Sequence, residues 1–416
     1  MKKILFVHQN FPAQFKNIAD HLYGEGYEIS AVISSLNTNN QNAKYRIIRY
    51  DIHRSSKIEY DLLSDFEAKV IRAEAVYLCC KDYAAGGFKP DIIYFHPGWG
   101  ESTFLKALWP SAKLLMYCEY FTGEHNEDLF YGNNDAHVLD EKSLLKIVIK
   151  KSNLLLNLAN FDLGISPTLF QKKTFPKEYQ RKIETIHDGV DTSYFSPSDQ
   201  VEICINRDKR TYTFDKDSEV LTFVNRNMEP YRGINSMVRA IPSLLQLRPN
   251  LSIFLIGEPG KGYGPAPDGG KYGAKNWREI ILEEIDPQMR PDDWERVFFL
   301  GTVPKNFYRS CLQLSSCHVY LTYPYILSWS LLEAMSMGCS IVASDNAAVR
   351  EFIEDDINGT IVDFFDVPGL VRACVNTLTD RVHSQEFGIL ARRKIVAEYD
   401  LESIILPKLS RILREI

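Results

Sequence analysis

Short apolar runs alternate with longer stretches of helical spacing twice along this chain, and that doubled rhythm limits the fold more than any other feature. ILFV at 4–7, ISAVIS at 29–34, DIIYFH at 91–96, AKLLMYCEY at 112–120, DLGISPT at 162–168 and KIETIHDGVD at 182–191 read as strands. Helical patterns separate them, such as Phe15, Ile18, Ala19 and Leu22 on one face and a long pattern through 141–160. Strands divided by helices predict a parallel sheet covered on both faces, because parallel neighbours need crossover connections. Residues 193–218 then break the rhythm with polar and charged side chains and read as an inter-domain connection with some irregular β-structure. The alternation resumes with VLTFVNR at 220–226, LSIFLIGE at 251–258, VFFLGTV at 297–303, CHVYLTYP at 317–324, SIVAS at 340–344 and GTIVD at 359–363, with helices between them. The expected architecture is α/β, with two tandem Rossmann-like domains at 1–197 and 198–395 and a C-terminal helix at 396–416, where Ile404, Ile405, Leu409, Ile412 and Leu413 at helical spacing suit packing back on the body, the preferred reading, or binding a partner. Ligands of open α/β sheets bind beyond the carboxyl ends of the strands, so the expected site is a deep cleft where two such edges face each other.

Length agrees with that division, since 416 residues exceed one ordinary core and suit two domains of roughly 200 residues each. A chain that is 45% hydrophobic and 25% charged is of the soluble globular class, and no run reaches the ~18 apolar residues of a membrane span. The N-terminal MKKILFVHQNF has too short an apolar core for an export signal and reads as a first strand. A net charge of −6 gives no general attraction for nucleic acid, and none is expected as a partner. Eight scattered cysteines without a C-x-x-C pair read as reduced, mostly buried thiols of a cytoplasmic protein, without a zinc site.

Chemistry concentrates at strand ends. VNRNMEPYRG at 224–233 places Arg226 and Arg232 in a turn that Gly233 closes before a helix, and two guanidiniums near a helix N-terminus suit a diphosphate. The alternative is an ion pair with a carboxylate such as Glu229. LSWSLLE at 327–333 opens a helix in which Ser330 and Glu333 fit a capping box; the amides around Ser328, Trp329 and Ser330 suit a phosphate equally well, and Glu333 suits the vicinal hydroxyls of a ribose. In the first half, His8 opens the loop HQNFPAQF, His96 ends a second strand and Glu119 a third. GEPGKGYGPAPDGGKYG at 257–273 is a long loop at a strand end, where ligand-binding segments sit. Lys142, Lys146, Lys150 and Lys151 lie partly on one helix face; a solvated face is the preferred reading, and peripheral contact with an anionic membrane surface is the other. DKD at 215–217 lacks a preceding strand and is discounted as a metal site.

These segments resemble, in order, the motifs of the GT-B glycosyltransferases, most closely family 4, the large retaining family. VNRNMEPYRG is similar to the family's Gly-Arg…Lys-Gly strand and loop, VFFLGTVP to its Phe-x-Gly-x-Val turn, YILSWSLLEAMSMGCSIVASD to its Glu-x7-Glu helix, and IHDGVDTSYFSP to its Asn-Gly-Val-Asp…Phe-x-Pro signature. HQNFPAQF resembles one subgroup's N-terminus. The resemblance implies that Arg226 and Arg232 bind the donor diphosphate, that Glu333 holds the ribose, and that Val303 flanks the base. It puts His96 and Glu119 on the acceptor and catalytic side, although a His is more usual at the Glu119 position.

Two departures stand out. Tyr325 occupies the place of the first Glu, which in the family contacts the donor sugar, with Leu327 beside it and Ser328 at a usual Gly. Asn10, Phe11 and Pro12 replace the Gly-rich phosphate loop after the first strand. A phenol is neutral at pH 7 and cannot supply a carboxylate's charge, which implies altered donor-sugar recognition. The expected function is a retaining, metal-independent glycosyltransferase without a cofactor, taking a sugar from a nucleotide-sugar donor to a glycan, lipid-linked or small-molecule acceptor, in the cytoplasm or at the inner face of the membrane. A nucleotide-sugar epimerase of the same fold, or a catalytically weak sugar-nucleotide-binding or scaffold protein, are the alternatives.

Overall fold

Ile4, Leu5, Phe6 and Val7 are wholly shielded from solvent, as a parallel strand covered on both faces requires. The computed structural model to which they belong describes residues 2–37, 44–57, 59–124, 126–129, 131, 141–260 and 262–416. In the first half the strands are β1 (Lys3–Val7), β2 (Glu28–Ser34), β3 (Arg46–Tyr50), β4 (Ile92–Phe95), β5 (Lys113–Tyr117), β6 (Leu163–Ser166) and β7 (Ile183–Thr185). They pair in the order β3-β2-β1-β4-β5-β6-β7, and every pair is parallel. β3 and the helix Ser64–Ala85 are additions to the expected elements; β3 is an edge strand whose RIIRY carries a charge near each end.

Next come β8 (Ile203–Arg207) and β9 (Arg210–Phe214), then β10 (Val220–Asn227), β11 (Ser252–Glu258), β12 (Val297–Gly301), β13 (Cys317–Tyr320), β14 (Ile341–Ser344) and β15 (Thr360–Val362). The last six form a second parallel sheet in the order β12-β11-β10-β13-β14-β15. In each sheet the strand order reverses beside the first strand, between β1 and β4 and between β10 and β13. Such a switch point leaves a crevice at the carboxyl ends of the two strands. Two Rossmann-like parallel sheets of this kind are the expected fold class.

The chain divides into one compact unit of Met1–Gly189 with Glu402–Ile416 and another of Val190–Leu401. Both expected boundaries differ from these. Residues 190–197 join the second unit because the Val190 amide donates to the Tyr399 carbonyl at 2.9 Å and the Ser336 hydroxyl donates to the Phe195 carbonyl at 2.6 Å. The helix Leu406–Glu415 joins the first unit through its apolar face, with Ser410 donating to Glu25 at 3.0 Å and Arg414 paired with Glu25 at 2.8 Å. The segment 193–218 is also more regular than its polarity suggests. β8 and β9 form an antiparallel hairpin whose turn residues Asp208 and Lys209 both have positive φ, 50° and 64°, matching the twist of a two-residue hairpin. Phe214 of that hairpin packs edge-on against Phe254 and Phe298, with ring centres 4.9 and 5.3 Å away.

The lysines of the helix Glu141–Lys150 and its neighbour are largely engaged. Lys142 and Lys146 both pair with Asp61, at 2.9 and 2.6 Å, and Lys151 pairs with Glu124 at 2.7 Å. Among the described residues no helix is long and apolar enough to cross a membrane. Asp215 of DKD accepts from the amides of Asp217 and Ser218, holding a local turn.

Candidate functional site

In the second unit the carboxyl ends of β10, β11 and β12 and the start of the helix Trp329–Ser336 enclose a pocket of about 400 Å³. Arg226, Val303, Ser328, Trp329, Ser330 and Glu333 all line it, together with Lys305 and Tyr308, which the sequence reading does not single out. Arg226 is the penultimate residue of β10 and exposed, and among the described residues its side chain has no hydrogen-bond or ion-pair partner. A strand end has presented a free guanidinium to the pocket.

Glu333 reaches the pocket from the second turn of its helix. The capping box expected of Ser330 and Glu333 does not form, because the helix begins two residues earlier: Ser328 is the N-cap, and its Oγ accepts from the Ser330 amide at 3.4 Å. Glu333 accepts instead from the Tyr308 hydroxyl at 2.7 Å. Burial pushes the Glu333 carboxyl above its ordinary range, against the opposing pull of Tyr308 and Lys305. Burial and the adjacent carboxylate raise the Tyr308 phenol well above its usual value, so it stays a donor. Tyr308 lies three residues after Lys305 in the helix Lys305–Leu314, and that i, i+3 spacing directly after the turn GTVP is the signal that would have found both. Of the amides expected to face a phosphate, that of Ser328 donates to the Tyr320 hydroxyl at 2.9 Å.

Arg232, Tyr325 and Leu327 do not line this pocket. Arg232 follows β10 in the turn Pro230–Arg232 and is only 6% exposed. Its Nη1 donates to Thr322 at 2.7 Å, its guanidinium lies 5.2 Å from the centre of the Tyr263 ring, and among the described residues no carboxylate pairs with it. A buried cation lacking a counter-charge is costly unless something anionic arrives. Glu229, the carboxylate that sequence offers as its partner, is buried and accepts from the Gly264 amide at 2.8 Å. Gly233 closes the turn at φ 75°, and a Cβ there would lie 2.3 Å from Leu321 Cβ, so only glycine lets the turn approach the end of β13.

Tyr325 stands in an aromatic group on this side. Its ring centre is 5.2 Å from that of Tyr263 and 5.9 Å from that of Tyr231, which stacks on Tyr323 at 4.5 Å. Tyr263 comes from the Gly/Pro-rich loop at 257–273, of which Lys261 lies outside the described residues; the composition marks the loop but not this side chain. Gly262 fits against Glu229 so closely that a Cβ would fall 1.8 Å from its carboxyl carbon. Leu327 is buried.

In the first unit, His8, His96 and Glu119 follow β1, β4 and β5, three adjacent strands flanking that sheet's switch point. His96 Nδ1 accepts from the Gly98 amide at 3.0 Å, which leaves the proton on Nε2 to be donated to Glu119 Oε2 at 3.2 Å. His8 repeats the device with the Asn10 amide at 2.9 Å, and His187, after β7, with the Gly189 amide at 3.0 Å. Burial, then the neighbouring His96, depresses His8 to about 3, so it is neutral at physiological pH. The two rings are 5.6 Å apart, and Trp99 packs against both, 4.8 Å from His8 and 4.6 Å from His96. Of the loop residues expected here, Asn10 is exposed, but Phe11 is wholly buried against Phe6 and Tyr45 and belongs to the core.

Two family profiles match the chain in succession, the "Glycosyl transferase family 4 group" over residues 26–195 and "Glycosyl transferases group 1" over residues 218–380. The D-inositol 3-phosphate glycosyltransferase of Kribbella flavida is 24% identical over 206 residues, covering 48% of this chain and 43% of that protein. The chain spans about half the length of the curated relatives it matches. Among solved structures, sucrose-phosphate synthase from Thermosynechococcus elongatus is similar with a TM-score of 0.72 at 15% identity, covering 100% of this chain and 99% of that one. Anabaena HepE in complex with UDP is similar with a TM-score of 0.69 at 13% identity, covering 100% of both chains. With each half matched by its own profile and the tandem parallel sheets shared with these structures, the chain belongs to the GT-B glycosyltransferases of the family 4 kind.

Proposed function

We propose that this protein is a retaining, metal-independent glycosyltransferase of glycan biosynthesis, transferring a sugar from a nucleoside-diphosphate donor to the hydroxyl of a glycan, lipid-linked or small-molecule acceptor. The observation that carries the reading is the pocket of the second unit, where Arg226, without an ion-pair partner among the described residues, and a helix N-terminus meet a half-buried Glu333. These are the groups a nucleoside diphosphate calls for: a cation and helix dipole toward phosphate, a carboxylate toward ribose hydroxyls. Family membership supports it, as does the likeness to HepE, solved also with UDP-glucose, and to a Corynebacterium glutamicum enzyme named as GDP-mannose-dependent.

In this reading Arg226 and Arg232 stabilise charge building on the leaving diphosphate, which makes a metal dispensable. The acceptor hydroxyl attacks from the leaving-group side and passes its proton to a departing phosphate oxygen, so configuration is retained. His96 Nε2–H and Glu119 position the acceptor or the forming cation. Tyr325, with Tyr263 and Tyr231, replaces a carboxylate at the donor sugar by an uncharged aromatic wall and changes which sugar is taken.

The test is a thermal-shift and turnover screen of the purified protein against a panel of nucleotide sugars, with Glu333→Ala and Tyr325→Glu alongside. The proposal expects one donor to stabilise the wild type and be slowly hydrolysed or transferred, Glu333→Ala to weaken that response, and Tyr325→Glu to shift the preferred sugar. Binding without turnover across many acceptors would replace the transferase by a sugar-nucleotide-binding protein.

A further inference from the structure

The helix Arg381–Glu398 turns an apolar stripe outward. Val382 is 74% exposed, Ile389 60% and Val396 41%, and the three are spaced seven residues apart. Seven residues are nearly two turns, so the three side chains share one face, with Glu386 and Arg393 on the same line between them. The buried face of the helix is made by Ser384, Phe387, Gly388, Ala391 and Ile395, so the stripe is not its attachment to the body. Single exposed apolar residues need no explanation, but a spaced row of three β-branched ones on one helix does.

We propose that this face is a self-association surface, occupied by the same helix of a second copy in antiparallel, two-fold orientation. The order of residues along the stripe carries the inference. A two-fold axis at Ile389 sets each residue against the one equally far on the other side of 389, because both helices rise about 1.5 Å per residue. Val382 and Val396 each stand seven residues from Ile389, so each valine meets the other's counterpart. Glu386 is three residues before Ile389 and Arg393 four after it, so the opposite charges meet with an axial offset of about 1.5 Å, twice by symmetry.

A parallel pairing would instead set Glu386 against Glu386 and Arg393 against Arg393. Both charges are available: among the described residues Arg393 pairs with no carboxylate, and Glu386 has only His383 at 3.7 Å. The adjacent Arg392 is committed inward, to the carbonyls of Phe195 and Ser336. β-branched side chains are already restricted at χ1 and lose little freedom when covered. One helix face is small against the ~1,200 Å² or more of a stable interface, so the dimer is weak and concentration-dependent.

Sedimentation velocity of the full chain over rising concentration tests this, with circular dichroism to verify folding of each variant. The wild type is expected to shift from monomer to dimer, and Ile389→Glu to remain monomeric. Glu386→Arg and Arg393→Glu, each of which turns both symmetric ion pairs into like-charge pairs, are each expected to weaken association roughly tenfold. The double variant Glu386→Arg/Arg393→Glu is expected to restore it. A wild type that stays monomeric throughout, a dimer indifferent to Ile389→Glu, or a double variant no better than the single ones overturns the proposal.

Discussion

Burial raises the Glu333 carboxyl above its unfolded value, and the sign of the consequence is definite. A carboxyl raised on folding favours the native state at low pH and loses that contribution as pH climbs through the raised folded value. The ligand-free protein at pH 7 therefore bears a cost for burying this carboxyl. Glu333→Gln removes the cost, so the variant is expected to melt higher than the wild type at neutral pH, with the gap closing below the ordinary carboxylate range. The same variant is expected to respond less to nucleotide, because it exchanges one of the two acceptor oxygens for an amide donor and loses the charge. A wild type and variant with parallel melting curves across pH would contradict the burial argument. Arg232 poses the matching case with opposite charge. Arg232→Met removes a buried cation that no carboxylate among the described residues pairs with, and the fold is expected to survive while turnover falls by ~100-fold or more, as for loss of a charge-stabilising donor. Equal losses of stability and turnover would make Arg232 a structural residue.

Among elements, the loop at 257–273 depends on one buried side chain. Glu229 accepts from the Gly264 amide, and Gly262 lies flush against it. Glu229→Ala removes this tether, so amide hydrogen exchange around 262–264 is expected to quicken while exchange in β10 and β11 holds. Unchanged exchange in the loop would mean that other contacts hold it, such as Trp277 Nε1 donating to the Pro265 carbonyl at 3.0 Å. This element also marks where sequence stops being informative. Its Gly and Pro content announces a loop, but which side chain it presents depends on Tyr263 meeting Arg232 and Tyr325 from far along the chain, and no spacing encodes that. Strand ends are the opposite case. Arg226, His96 and Glu119 are read correctly to the ends of strands because an apolar run followed at once by a polar residue is a local pattern. Phe11 misleads because a loop aromatic is as suited to filling the core as to touching a ligand. Ser330 misleads because a serine pair two apart offers two caps, and choosing between them depends on where the Tyr320 hydroxyl sits.

At the scale of the whole molecule, the chain returns to its first unit for its last residues. The helix Leu406–Glu415 buries Leu406, Leu409, Ile412 and Leu413, and Lys2 Nζ donates to the Leu413 carbonyl at 3.1 Å. Removing residues 402–416 strips this cover from the first unit and leaves the second intact. Differential exchange is expected to show β1 and β2 losing protection while β10 and β13 keep theirs; losses confined to the second unit would contradict the division. That division is beyond a sequence reading of 396–416, because an amphipathic helix declares that it must pack but not on which partner.

The central claim is that the second unit's pocket holds a nucleoside diphosphate between Arg226 and Glu333. Calorimetric titration of the full chain with a panel of nucleoside diphosphates, repeated on Arg226→Ala and Glu333→Ala, tests it most directly. The account predicts saturable binding of at least one base by the wild type, weakened roughly tenfold or more by each substitution, as expected for a lost hydrogen bond to a charged group. No binding across the panel, or binding that neither substitution alters, would contradict it and leave the likeness to glycosyltransferases one of fold alone.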